Sequence, residues 1–267
     1  MASCSSSSGS GSTGAALVLA SALGGAAAAS LVRYILQTSK SSETEAKAAG
    51  PPSLPSPSDA VALIRHRRSI FPKQYSGQSL PRDVIDGMLE AARYAPSHKL
   101  TEAWRFVVFE TEDSRAQLGR FMAEQYRSAQ EAADKEVSQA KYDKKMKNCA
   151  VSSHVLAVVV DTSGPNPAWE EFASVAMAVQ NMLLVAAAHG VGAYWSSGSV
   201  VGALDEKKSV VPNNKAITTT FNGEWKDLLK LSDGEHCLGL VFVGKCKEGM
   251  KWPGGKRSDM ADKTEWR

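Results

Sequence analysis

The sequence predicts an α+β domain, a mixed four- to five-stranded sheet packed with helices. Three observations lead there. Short, bulky apolar runs recur at Phe106–Phe109, Val155–Asp161 and Cys237–Gly244, with a weaker one opening at Gly192, and each has the length of a strand. Helical patterns separate them, in the order helix, helix, strand, helix pair, strand, helix, strand, helix, strand. No GxGxxG follows the first strand and no GxxxxGK[ST] occurs, so neither a Rossmann dinucleotide site nor a P-loop is supported.

Composition narrows the class further. The chain has 267 residues, 43% hydrophobic and 22% charged, enough for one sizeable core or a domain with extensions. A net charge of +3, with no basic stripe interleaved with aromatics, gives no argument for nucleic acid. Four scattered cysteines (Cys4, Cys149, Cys237, Cys246) form no CxxC pair and read as reduced thiols of an intracellular protein. Five histidines without ligand spacing argue against a protein-bound metal.

Residues 1–57 are set apart from the rest. The Ser/Gly-rich start should not fold, and Ala15–Val32 is an uncharged Ala/Leu/Gly/Ser run just long enough to span a membrane as a helix. Arg33, Lys40 and Lys47 follow it and no Lys or Arg precedes it, which would leave the downstream chain in the cytosol. A plastid or mitochondrial presequence is the competing expectation. Prolines 51, 52, 55 and 57 make a semi-rigid linker, and the folded domain, 58–267, begins near Ser58.

Within the domain, Ser58 or Asp59 caps a helix carrying Val61, Leu63 and Ile64, which runs into Arg65-His66-Arg67-Arg68-Ser69. Such a cluster is either a solvated helix end, where cations suit the dipole, or an anion site in which guanidinium forks and a hydroxyl grip phosphate oxygens. The next helix, Ser79–Tyr94, repeats Leu80, Val84, Ile85, Met88, Leu89 and Ala92 at helical spacing and stops at Ala95-Pro96. A short polar loop, Ser97–Glu102, then leads into a strand at Trp104–Glu110 expected to be buried on both faces. A loop pinned between a rigid helix end and a buried strand is a good place to hold a ligand.

The charged stretch Asp113–Lys147 reads as a helix pair that covers something, as a lid or as a solvated hairpin. Ala168–His189 is apolar almost all round, which marks a central core helix or part of a subunit interface. Val201–Glu224 reads as an inserted loop, Trp225–Leu231 as a short helix, and Lys245–Arg267 as a basic tail whose Trp252 and Trp266 suggest docking on a partner.

Four of these features stand in a telling order: Arg67-Arg68-Ser69, then Ala95-Pro96-Ser97-His98 before Trp104, then the apolar helix after a VVVD strand, then Trp195-Ser196-Ser197-Gly198 before the last strand. Together they resemble the nitroreductase family of flavoproteins, especially its compact bacterial NAD(P)H nitroreductases, over about Pro57 to Gly244. The resemblance implies a nitroreductase-like homodimer of α+β subunits with two FMN sites at the interface. By position, Arg67, Arg68 and Ser69 match the segment that grips FMN. Tyr94 and His98 match contacts given from the partner subunit. Trp195, Ser196 and Ser197 match a third FMN segment. Relatives often carry Arg where Tyr94 and Ser196 stand, so a basic residue of the tail (Lys245, Lys247 or the Lys256-Arg257 pair) is the candidate replacement for the lost phosphate contact.

The implied activity is FMN-dependent oxidation of NAD(P)H with reduction of nitroaromatics, quinones or free flavins, for which the protein supplies orientation and a dry pocket rather than an acid–base pair. Two alternatives remain. One is an iodotyrosine-deiodinase-like reductive dehalogenase, whose lid holds an amino-acid zwitterion with Glu, Tyr and Lys, here Glu124, Tyr126 and nearby lysines. The other is a tethered flavin-binding or scaffold protein without turnover.

Overall fold

The computed structural model describes residues 54–196 and 223–267. The chain divides into two units after Ser56, and the second, Pro57–Arg267, is compact. Of the expectations above, the segment Ala15–Val32, Ser197 and nearly all of the inserted loop 201–224 lie outside the described residues.

The second unit contains, in order, α1 (Pro57–His66), α2 (Arg82–Arg93), β1 (Trp104–Phe109), α3 (Glu112–Ala132), α4 (Gln139–Val151), β2 (His154–Asp161), α5 (Ala168–Ala188), β3 (Gly192–Ser196), α6 (Gly223–Leu229) and β4 (Glu235–Gly244), with single 3-10 turns at Pro72–Gln74, His98–Leu100 and Ala261–Lys263. The four strands form one sheet in the order β1-β2-β4-β3. The α+β class and the strand count agree with expectation. The expected mixture of parallel and antiparallel pairs does not, because all three pairings among the described residues are antiparallel. Helices cover the central strands on both sides, so their unbroken apolar runs carried no information about strand direction.

The sheet divides two cores by simple alternation. Leu156, Val158 and Val160 of β2, with Val241, Val243 and Ala193, face α2 and α5. Val155, Ala157 and Val159, with Leu240, Phe242 and Phe109, face α3, α4 and α6. β2 is buried along its whole length except Asp161. β1 is an edge strand and only half-buried, with Val108 exposed, which corrects the expectation of burial on both faces.

The α3–α4 hairpin is begun by Thr111, whose side chain accepts from the Ser114 N–H at 3.1 Å. Leu118, Met122 and Cys149 bury its inner face, so its base is part of the second core. Gly119 lets the two helices close together: a Cβ there would meet Met146 Cα at 3.1 Å. Helix α5 buries Val175, Val179, Met182, Leu183 and Ala186. Its opposite face leaves Trp169, Ala173 and Met177 exposed in the single chain, so the helix is not enclosed on every side. It is also the single described helix long and apolar enough to cross a membrane, and half of that stretch is buried within this unit.

Candidate functional site: a basic cluster and a braced loop

Arg67, Arg68 and Ser69 lie just past the end of α1, as the sequence suggested. What fixes them is the next residue. Ile70 is fully buried, and its N–H donates to the Ala193 carbonyl at 3.0 Å, which sets the basic segment alongside β3. Tyr75 locks this register. Its buried hydroxyl lies 2.7 Å from the Ile70 carbonyl and 3.0 Å from that of Phe242, and burial drives its pKa well above the usual tyrosine range.

The two arginines differ in employment. Arg68 Nη1 donates to the Arg65 and Arg67 carbonyls and so closes the end of α1, while its buried Nε has no partner. The Arg67 side chain is half-buried and, among the described residues, makes no hydrogen bond or ion pair. Its pKa is lowered, first by burial and then by the nearby charges of Arg257 and Arg68. Among the described residues no carboxylate pairs with Arg67, Arg68 or Arg257. Three guanidiniums held together without a counter-charge repel one another and favour an anion.

The tail brings the third cation. After β4 it runs beside the Pro72–Gln74 turn, with Ser76 N–H donating to the Lys245 carbonyl at 2.8 Å and Lys247 N–H to that of Gln74 at 2.9 Å. Trp252 then stacks on His66, with ring centroids 4.6 Å apart, and its Nε1–H donates to the His66 carbonyl at 2.7 Å. Gly255 follows so closely against Arg68 that a Cβ would lie 2.6 Å from Arg68 Cζ. Trp252 therefore docks on its own chain, whereas Trp266 is exposed in the single chain. The strapping of α1 by the tail was missed in the sequence, since nothing in the spacing of Trp252 names its partner.

Trp195 and Ser196 are half-buried at the end of β3. Trp195 packs against the α5 side of the sheet, and its buried Nε1–H has no partner. Arg68 Nε and Trp195 Nε1 are thus both buried donors without a partner, one two residues before Ile70 and the other two residues after Ala193, the pair joined by the hydrogen bond that seats the segment on β3.

Tyr94 and His98 form a separate group. Tyr94 caps α2 and is largely exposed, with the Arg93 guanidinium 5.8 Å from its ring centroid. His98 is half-exposed and its Nδ1 pairs with the Glu170 carboxylate in the first turn of α5. No hydrogen bond or ion pair among the described residues links this group to Arg67–Ser69. The loop holding His98 is strained: Lys99, Leu100 and Glu102 have φ of 57°, 56° and 47°. Each such conformation costs a non-glycine residue on the order of 1–3 kcal/mol and persists only where neighbours enforce it. Asn166 and Glu171 do so, through Asn166 Nδ2 to the His98 carbonyl (2.8 Å) and Thr101 Oγ1 to Glu171 Oε2 (2.8 Å). These partners were not legible in the sequence. Acidic residues opening a helix read as dipole complements.

In the hairpin, Glu124 accepts from the Tyr142 hydroxyl at 2.5 Å and pairs with Arg127, and the Tyr126 hydroxyl accepts from Ser138 N–H at 3.2 Å while Lys145 lies over its ring. These groups brace the hairpin against itself.

An antiparallel sheet between two helical layers, with a cluster of guanidiniums beside the edge strand β3, defines an α+β protein with an uncompensated basic site. The comparisons name its class. The profile of the Nitroreductase family matches residues 64–245, and the chain belongs to that family. A Bacillus subtilis protein named as a candidate NAD(P)H nitroreductase is 31% identical over 142 residues, covering 52% of this chain and 69% of that protein. An Escherichia coli K12 protein with the same kind of name is 30% identical over 147 residues, covering 53% and 74%. Among solved structures, a nitroreductase-like protein of Bacillus cereus shares the fold with a TM-score of 0.56 at 20% identity, covering 82% of this chain and 99% of that one. A nitroreductase of Bacteroides fragilis with bound FMN does so at 0.54 and 19%, covering 75% and 95%.

Proposed function

We propose that the chain is an FMN-dependent NAD(P)H oxidoreductase that reduces nitroaromatic, quinone or related small acceptors. The observation that carries this reading is the gathering of Arg67, Arg68 and Arg257 without a carboxylate among the described residues, with Arg68 Nε buried and unpartnered. A phosphomonoester brings about −1.5 to −2 charges at neutral pH, which suits that cluster. When bound, FMN supplies the redox chemistry, taking hydride from NAD(P)H and passing the electrons to a second substrate in the same pocket, a ping-pong cycle.

The chain's own residues have simpler tasks. Arg67 and Arg257 hold the phosphate, and Arg257 stands in for the cation that Ser196 cannot provide. Arg68 Nε, Ser69, Trp195 Nε1, Ser196 and Ser197 offer hydrogen bonds to the phosphate, the ribityl chain or the ring. The cationic end of the segment also favours negative charge on the reduced ring. The apolar core beneath Trp195 keeps water from that side.

We also propose that the active form is a homodimer with FMN between subunits, His98 and Tyr94 serving the partner's pocket. Exposed Val61 and Ile64 on α1, Tyr94 and Leu100 by the loop, and Trp169 and Met177 on α5 support it, since large apolar side chains in such number suit burial against another copy. The engagement of Glu124 by Tyr142 and Arg127 supports this reading over a deiodinase-like one, because a zwitterion clamp needs that carboxylate available. For residues 15–32 we propose a tether or presequence on an intracellular protein, tested by cell fractionation and by sequencing the mature N-terminus.

The test is a visible spectrum of the purified protein with and without NAD(P)H under anaerobic conditions. The expected result is an oxidised-flavin spectrum that bleaches on adding NAD(P)H and returns with a quinone. A colourless protein that also rejects added FMN overturns the proposal.

A further inference from the structure

The head of α5 carries a feature that flavin binding alone does not require. Glu171 is 1% exposed, yet it is a carboxylate. Burying one is costly unless its oxygens are satisfied, and an apolar side chain would serve the core more cheaply. Its partners are neutral and belong to one purpose: Oε2 accepts from Thr101 Oγ1 at 2.8 Å, and Oε1 from Asn166 Nδ2 at 3.0 Å. The same Asn166 amide donates to the His98 carbonyl at 2.8 Å. One residue earlier, Glu170 takes His98 Nδ1. Three side-chain contacts from a six-residue stretch of chain, 166–171, thus converge on one short loop with three left-handed non-glycine residues, and a fourth ties Asn166 to Glu171 behind them.

Resting on the flavin site proposed above, we propose that Asn166, Glu170 and Glu171 are positioning residues that hold the Ser97–Glu102 loop in its strained shape and aim His98 Nε2 outward. The division of labour follows from the chemistry. Glu171 and Asn166 fix the backbone, because they bind Thr101 and the His98 carbonyl. Glu170 fixes the ring, because a carboxylate on Nδ1 keeps the proton there and leaves Nε2 to meet the ligand. The three residues act through His98 and the loop and do not themselves touch the flavin.

Two measurements on the full chain test this. The first needs no flavin. Lys99 is exposed within the strained loop, so trypsin cutting after Lys99, followed by mass spectrometry in the apoprotein, reports how firmly the loop is held. Glu171→Ala should speed that cut about tenfold with other sites unchanged, and Thr101→Val should do the same where Glu171→Ala folds poorly. The second is a double-mutant cycle read by FMN fluorescence titration. Glu170→Ala and His98→Ala should each weaken FMN about tenfold, and Glu170→Ala should have no further effect once His98 is gone. Unchanged cutting at Lys99 in both loop variants, or additive losses in the cycle, overturns the proposal. If wild-type protein takes up no FMN, the flavin reading and the aiming of His98 fall together, while the trypsin comparison still decides whether these residues hold the loop.

Discussion

The ring of Tyr75 lies in a slot that Gly192 and Gly244 leave open, and Gly244 leaves no room to spare: a Cβ built there would sit 2.6 Å from Tyr75 Cγ. The two glycines face each other across β3 and β4, and a Cβ at Gly192 would meet Tyr75 Cε1 at the same 2.6 Å. Space, not backbone conformation, is what glycine provides here. Through the Tyr75 hydroxyl the slot holds Ile70, and through Ile70 it holds the basic segment against β3.

Gly244→Ala should therefore destabilise the fold by about 1–3 kcal/mol, the usual cost of overpacking a filled core. Urea denaturation followed by tryptophan fluorescence measures it. Flavin retention should fall in the same variant, since the displaced ring no longer fixes Ile70.

Arg67→Ala should weaken FMN binding by about one to two orders of magnitude, if a charge-assisted phosphate contact contributes roughly 1.5–3 kcal/mol. Arg257→Ala should do likewise while slightly stabilising the flavin-free protein, because it relieves repulsion on Arg67. Titrations at low and high salt check the origin of the effect: added salt should weaken wild type more than either variant.

Trp252→Ala should loosen the tail and speed flavin dissociation. It removes both the stack on His66 and the hydrogen bond to the His66 carbonyl. Trp252→Phe keeps an aromatic face but no N–H, and should fall between wild type and Trp252→Ala. Flavin release after rapid dilution, followed by fluorescence, ranks the three.

His154 makes stability fall in mild acid. It is buried on β2, and its pKa is lowered by burial first, with Glu110 opposing and Arg115 and Arg82 adding to the effect. The unfolded chain takes up the proton near the ordinary value of about 6.5, and the folded chain only at lower pH. Stability is full above that value and is lost as pH falls from there through the folded value. The urea midpoint should drop as pH falls below about 6.5, and His154→Gln should shrink the drop. It should not abolish it, since burial lowers the pKa of His236 in the same direction.

Most of the framework was legible in the residues because its elements obey local rules. The period of α2 and the apolar run of β2 named themselves. So did the break at Ala95-Pro96. Strand direction was not legible, since burial on both faces looks alike in parallel and antiparallel sheets. Nor was the edge position of β1, which depends on a strand order that no local pattern encodes. For the site, the Arg67–Ser69 segment and Trp195 stood out by residue type. Their proximity depends on Ile70 and Tyr75, whose role is set by long-range packing. The braces on His98 come from the head of α5, far along the chain, and their residue types fit a helix start equally well.

The tail that straps α1 is made late in synthesis. Arg257 follows every described strand, so the pairings of β4 with both its neighbours do not depend on the residue that supplies the third cation. Under the proposed assignment, a cut between β4 and Arg257 would disarm the phosphate site while sparing the strand pairings.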